Sequence, residues 1–329
     1  MATEAVQVVS PSRLHFGLLS FGQPDGRQFG GVGAMIESPG VRIRLARDAN
    51  FEVEGPCSGR VEQLACRWSQ QRRDGELPAC RIRVDELPSA HVGLGSGTQL
   101  ALAVSRGLDE LFALPPGEPA ELASSVGRGL RSAVGTYGFA YGGLIAERGK
   151  LPGEPLAPLQ QRIVIPASWR FVLVRHCQSA GLSGDAEKTA FQTMEPVPSV
   201  VTCQLEEELN QCLVPALESH DLPAFGESVY RYGKLAGSCF SQFQEGPFAT
   251  RRIEQLVERV RSWGVNGVGQ SSWGPTVFAV TADNDEAGQL CDQIRACYGS
   301  EIEDLRISAG NNTGARVDRV SAVPSVAGA

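Results

Sequence analysis

Apolar and polar residues alternate along several stretches of the first third of the chain. Val41, Ile43 and Leu45 are separated by Arg42 and Arg44, and Phe51 and Val53 by Glu52. Asp48-Ala49-Asn50 lies between these runs, so the pair is expected as a hairpin with one buried face. Cys80, Ile82 and Val84 against Arg81, Arg83 and Asp85 predict a further half-buried strand. Between these strands Val61, Leu64, Ala65 and Trp68 share one helical face, predicting a helix over residues 60–73. At Gly93 both patterns break. Leu100, Val104, Leu108 and Leu111 then recur at helical spacing, so a glycine loop feeds the start of a helix. A second helix is expected over 119–132, and GTYGFAYGG after it as glycine-rich turns.

The segment 149–158, rich in proline and glycine, is the expected linker between two domains, 1–158 and 159–329. The second opens with Trp169-Arg170-Phe171-Val172-Leu173-Val174, whose unbroken apolar run from Phe171 is that of a strand buried on both faces. Helices are expected over 202–218, 224–241 and 249–263, then a strand near Val265, a Gly/Ser turn and a strand over 275–281. A helix over 285–298 and a strand over 302–308 complete the pattern, and the tail after Val320 is expected to fray. Helices and strands interleaved in this way predict an α+β fold with βαβ units.

The length of 329 residues suits two domains, and 42% hydrophobic with 20% charged residues is an ordinary globular composition. A net charge of −7 argues against a nucleic-acid surface, which needs a basic footprint, but leaves room for a small basic pocket. No apolar run approaches the roughly 18–20 residues of a membrane span, and the N-terminal residues lack a basic-then-apolar export signal. The nine cysteines are odd in number and contain no C-x-x-C, and the four histidines are scattered. A reduced, cytoplasmic protein without a zinc site is expected.

Three segments are candidates for chemistry. In His91 to Gln99 the small residues of Gly93-Leu94-Gly95-Ser96-Gly97-Thr98 precede a strong helix. Backbone N–H groups converge on such a loop, and the helix adds its unpaired donors and positive dipole end, which suits an anion. It matches neither G-x-x-x-x-G-K-[ST] nor G-x-G-x-x-G, and glycines serving packing alone are the plain alternative. The second segment, GVNGVGQSSWGPT with Ser271 and Ser272, reads as another small-residue loop facing a ligand, or as a flexible connection. In the third, Ser12 to Leu18, Arg13 and His15 lie on one side of an extended strand as two cationic donors for an anionic substrate.

Taken together these segments resemble the GHMP kinase superfamily, with its N-terminal motif, central Gly-Leu-Gly-Ser loop (GLGSGT here) and C-terminal glycine loop before a strand (GVGQSSWGPTVFAV). The resemblance implies an N-terminal domain like domain 2 of ribosomal protein S5 and a ferredoxin-like C-terminal domain. SPSRLHFGLLSFG, RQFGGVGAMI and GLSGDAEKTAF (181–191) are similar to the β-ribofuranosylaminobenzene 5′-phosphate synthase branch. That branch joins phosphoribosyl diphosphate to 4-aminobenzoate, or to 4-hydroxybenzoate, releasing CO2 and diphosphate, in tetrahydromethanopterin biosynthesis.

A departure from the kinases accords with this branch. Many kinases of the superfamily carry a catalytic Asp after the central helices, but Arg131 to Gly143 contains no Asp or Glu. Gly97 also stands where many of them have a magnesium-holding Ser. The resemblance implies a divalent cation such as Mg2+, no organic cofactor, small-molecule substrates and a homodimer as one possible assembly. Asp185 and Glu187 are then candidates for the metal or for stabilising positive charge, and Lys188 for diphosphate. Arg175, at the end of a buried strand, is a further candidate for substrate anions. The rivals are an ATP-dependent small-molecule kinase and a non-catalytic sensor on the same scaffold.

Overall fold

The computed structural model describes residues 4–23, 26–177 and 193–321. The alternation at 41–45 belongs to a much longer element. β1 (Glu4–Ser20) and β2 (Phe29–Arg47) form a long antiparallel pair, with register shifts at Ser10/Ser12 and His15/Gly17. Such irregularities bend a strand and re-aim its side chains. β3 (Glu52–Glu54), β4 (Cys80–Glu86), β5 (Leu144–Glu147), β6 (Leu159–Ile163) and β11 (Arg316–Ser321) complete this sheet. Its order is β11-β1-β2-β4-β3, with β5 beside β2 and β6 beside β5.

The expected hairpin at 41–53 does not form. Val53 pairs in parallel with Ile82, while Ile82 also faces Leu45 across an antiparallel ladder. The reason is α1 (Ser58–Arg72), whose apolar face must be covered. It crosses between β3 and β4 as a parallel connection requires, and β4 takes the place beside β2. Val61, Leu64 and Trp68 of α1 join Leu100, Val104 and Leu108 of α2 (Ser96–Leu111) over Val6, Val8, Ile43 and Leu45 in a first core.

The helix expected over 119–132 stops early, as α3 (Pro119–Ser125). The supposed glycine turns after it are instead α4 (Val134–Tyr141). Its glycines serve close packing: a Cβ on Gly138 would collide with the side chain of Met35.

The second sheet is antiparallel, in the order β10 (Ile302–Ala309), β7 (Arg170–His176), β9 (Val277–Thr281), β8 (Val268–Gln270). The continuous apolar run in β7 is explained by burial on both faces. Phe171 and Leu173 pack in a middle core with Leu14, Phe16 and Phe225, whereas Val172 and Val174 face α8 (Arg251–Ser262) and α9 (Asn284–Tyr298). The middle core is completed by α5 (Ser199–Glu207), a π-helical turn (Glu208–Leu213), α6 (Val214–Glu218) and α7 (Leu222–Ser238). β6 and the last strand both belong to the first sheet, so the chain crosses into the second lobe after residue 163 and returns before 316.

Candidate active site

The three motif segments are stitched together by backbone. Arg13 N–H donates to Leu94 O at 3.0 Å, and Ser272 N–H donates to His15 O at 2.9 Å. Ser271 Oγ accepts from His15 N–H at 3.0 Å and donates to Gly93 O at 2.7 Å. Thr276 Oγ1 donates to Val92 O at 2.5 Å. Gly93 has φ +90°, and a Cβ there would strike Ser271 O, so the third loop reaches the central loop only because Gly93 has no side chain.

Beside this junction lies a cavity of about 560 Å³. Its first-lobe wall is strongly cationic, with Arg13 from β1, Arg67 from α1, and Arg128 and Arg131 from the segment before α4. No Asp or Glu is among the described residues that line it. The second-lobe wall carries Phe240, Phe248 and Trp273, with Gln244 and Gln270 between them. Trp273 meets Phe240 edge to face, ring centroids 4.8 Å apart. Small residues of α7 (Gly233, Ala236 and Gly237) keep the floor open.

Burial pushes Arg128 down to about 10, helped by the nearby charges of Arg60 and Arg67. A cationic group held against other cations gains much from a bound anion. Arg60 lies over Gly97 in the first turn of α2, so the helix dipole adds to the same field. His15 behaves differently from the expected second cation. Burial, and then the charge of Arg13, hold its imidazole well below the ordinary value, so it is neutral. Its Nε2 lies 3.1 Å from Ser132 Oγ.

The other predicted residues divide. Thr98 and Ser272 line the cavity, whereas Ser271 is fully buried in the junction. Gly95 caps α2 in the left-handed conformation beside Arg13, and Ser96 Oγ donates to Ser89 O at 3.4 Å. The side chain of Leu94 packs in the middle core. Arg175 is remote: it pairs with Glu303 at 2.9 Å and faces a different groove. Asp185, Glu187 and Lys188 lie outside the described residues. Among the described residues no three His, Cys, Asp or Glu side chains come together, and the residues expected to hold the cation, Asp185 and Glu187, are not among them. Sequence reasoning missed Arg67, Arg128, Arg131, Ser132 and the aromatic wall. A signal existed for the first, because Arg60 and Arg67 are seven apart and share one face of α1.

Two family models match, the GHMP kinases N-terminal domain over residues 61–143 and the GHMP kinases C-terminal domain over 213–300. The chain belongs to the GHMP kinase superfamily. Among curated GHMP relatives, a β-ribofuranosylphenol 5′-phosphate synthase of Archaeoglobus fulgidus is 29% identical over 94% of this chain and 98% of its own length. Proteins of the same name from Methanothermobacter thermautotrophicus and Methanocaldococcus jannaschii are 28% and 25% identical, over 93% and 94% of this chain and 96% and 99% of their own lengths. The GHMP fold recurs in phosphomevalonate kinase of Streptococcus pneumoniae (TM-score 0.66, 13% identity, 97% of this chain and 100% of that one). It recurs also in mevalonate pyrophosphate decarboxylase of Streptococcus pyogenes (TM-score 0.68, 13% identity, 95% and 98%). The expected two-domain α+β GHMP architecture is thus the observed one.

Proposed function

We propose that this protein is a C-ribosyl transferase that joins phosphoribosyl diphosphate to a para-substituted benzoate, releasing CO2 and diphosphate. The observation that carries the reading is the two-sided cavity: four arginines facing an aromatic wall, with no carboxylate among the described lining residues. The curated relatives, named for a ribofuranosylphenol phosphate, point to the phenolic acceptor, 4-hydroxybenzoate.

The donor brings a 5′-phosphate and a diphosphate, and planar guanidinium groups bind such oxygens in pairs. Neutralising the diphosphate weakens its bond to C1 of the ribose and gives that carbon oxocarbenium character. The ring carbon bearing the carboxylate lies para to the hydroxyl or amine, whose lone pair makes it nucleophilic. The aromatic wall and the glutamines hold that ring over C1, and closing the cavity around both reactants keeps water from the cation. Attack on the face opposite the diphosphate gives a β-riboside, and loss of CO2 restores aromaticity. The chemistry needs no organic cofactor, since the acceptor supplies its own electrons. Arg13, Arg67, Arg128 and Arg131 balance the charge of the donor's phosphates. The same reading makes the protein soluble, cytoplasmic and an early participant in tetrahydromethanopterin assembly.

The deciding assay supplies carboxyl-labelled 4-hydroxybenzoate with phosphoribosyl diphosphate and divalent cation. Release of labelled CO2 that depends on both substrates is the expected result. Its absence from folded protein, together with phosphorylation of a small alcohol by ATP, would return the protein to the kinases.

A further inference from the structure

Arg128 is placed by the way α3 ends. Gly127 N–H donates to Ser124 O at 3.0 Å and Arg128 N–H donates to Ala123 O at 2.7 Å. This pair of bonds closes a helix that stops on a left-handed glycine, here Gly127 at φ +65°. The side chain of Arg128 lines the cavity, and its Nε–H is buried without an acceptor. Two arginines of α1 reach the same place by way of glycines. A Cβ on Gly127 would stand 2.9 Å from Arg67 Nη1, and one on Gly97 would stand 2.5 Å from Arg60 Nη2. Each guanidinium uses the room that a missing side chain leaves.

Other arginines of this molecule meet carboxylates. Arg44 lies 2.6 Å from Asp85, Arg231 2.7 Å from Glu208 and Arg261 2.7 Å from Glu227. Among the described residues Arg60, Arg67 and Arg128 have no such partner. Glu147, which closes the segment after them from behind, is fully buried and raised by burial to about 7, and it accepts Ala133 N–H at 3.1 Å and Gly149 N–H at 2.8 Å. The charges that act on Arg128 are those of Arg60 and Arg67. Three like charges gathered without a counterion repel one another, and a dense anion relieves them.

We infer that Arg60, Arg67 and Arg128 form the subsite for the diphosphate of the ribosyl donor, so that the leaving group and the 5′-phosphate are held by different arginines. Three planar forks suit two linked phosphoryl groups better than one. Arg13, whose side chain lies against Gly95 and Gly135, is left to the 5′-phosphate. The inference rests on the C-ribosyl transfer reading and divides its donor site in two.

The two subsites act differently in the reaction. The bond from C1 to the diphosphate oxygen breaks with its pair on that oxygen, and the acceptor ring supplies the pair for the new bond to C1. The diphosphate therefore gains one negative charge, whereas the 5′-phosphate keeps the charge it had. Arginines at the diphosphate hold the transition state more tightly than the substrate, so removing one lowers kcat. An arginine at the 5′-phosphate holds both equally, and removing it raises KM alone.

The test titrates the full chain by calorimetry with inorganic diphosphate and, separately, with ribose 5-phosphate. The variants are Arg60→Gln, Arg67→Gln, Arg128→Gln and Arg128→Lys, with Arg175→Gln in the remote groove as control. The first three are expected to bind diphosphate about 10-fold or more weaker than wild type, and ribose 5-phosphate within about 3-fold of it. In the complete reaction the same three lower kcat. Arg128→Lys, which keeps the charge without the planar pair of donors, loses less, and Arg175→Gln changes neither affinity. Arg67 is exposed and Arg60 partly so, and their variants read the subsite even where Arg128→Gln fails to fold. Equal weakening of both ligands, weakening of ribose 5-phosphate alone, or unchanged diphosphate binding, in variants of wild-type circular dichroism, would overturn the subsite. A wild type that binds diphosphate through these arginines yet releases no CO2 from the acceptor would keep the subsite and overturn the transferase reading.

Discussion

Arg13 and His15 occupy one strand two residues apart and line the same cavity, yet their electrostatic fates differ. The imidazole, though it touches the cavity, is buried and neutral, whereas the guanidinium is one of four that line it. Removing one charge-assisted partner of a bound phosphate costs about 1.5–3 kcal/mol, or about 10–100-fold in affinity. Arg13→Ala is therefore expected to raise KM for phosphoribosyl diphosphate by that factor. Its melting temperature should change little, because the stitch to Leu94 uses the backbone of residue 13. Steady-state kinetics beside a thermal melt separate the two effects. Glu147 makes a second prediction, in stability. As pH rises from the ordinary 4.5, the unfolded chain ionises first, while the folded protein keeps its proton until about 7. Folding thus weakens across that window, by about 3 kcal/mol if the whole shift is expressed. Urea midpoints at pH 4.5 and 8 should show wild type losing that much more than Glu147→Gln. Parallel curves would mean that the carboxyl ionises normally.

The junction of the three motif segments depends on turns built without side chains, and Gly93 can be tested against a matched control. Gly93 and Gly153 have nearly the same φ, +90° and +87°, but a Cβ on Gly153 meets nothing within 4 Å. Alanine at Gly153 therefore reads the cost of the left-handed backbone alone, about 1 kcal/mol. Alanine at Gly93 adds the collision with Ser271 O and should cost at least about 2 kcal/mol more, with loss of turnover as the third loop is pushed from His15. Chemical denaturation of the pair gives the difference directly. The same contrast explains what could be read along the chain. Helix faces such as Val61-Leu64-Trp68, and the glycine loop before α2, announce themselves within a few residues. Partner choice does not: nothing within 51–53 shows that Val53 will pair with Ile82 rather than fold back on β2. Composition misled at α4, because Gly138 is there for contact with Met35 and Gly135 for contact with Thr98, not for turning. The arginine cluster was invisible for a related reason, since its members come from β1, α1 and the segment before α4 and meet only in the fold.

At the scale of the whole molecule, the chain leaves the first lobe after β6 and returns to it with its last described strand. β11 pairs with β1 from Glu4↔Ser321 to Val9↔Arg316, and Arg319 reaches Glu110 at 3.1 Å. Val317, partly buried, packs on the first core. A chain truncated after Ala315 loses that ladder and leaves the backbone of β1 bare along residues 5–9. An unpaired sheet edge is a template for another chain. The truncated protein should therefore melt several degrees lower than the full chain and elute from a sizing column as larger species. The net charge of −7 opposes self-association at low ionic strength, so added salt should increase the larger species by screening it. Val317→Asp in the full-length chain separates packing from pairing, since it removes the apolar contact and keeps every backbone bond. If it lowers melting without producing the larger species, the edge itself drives association. If the truncated chain melts and elutes like the full chain, the return of β11 contributes nothing to the stability of the first lobe.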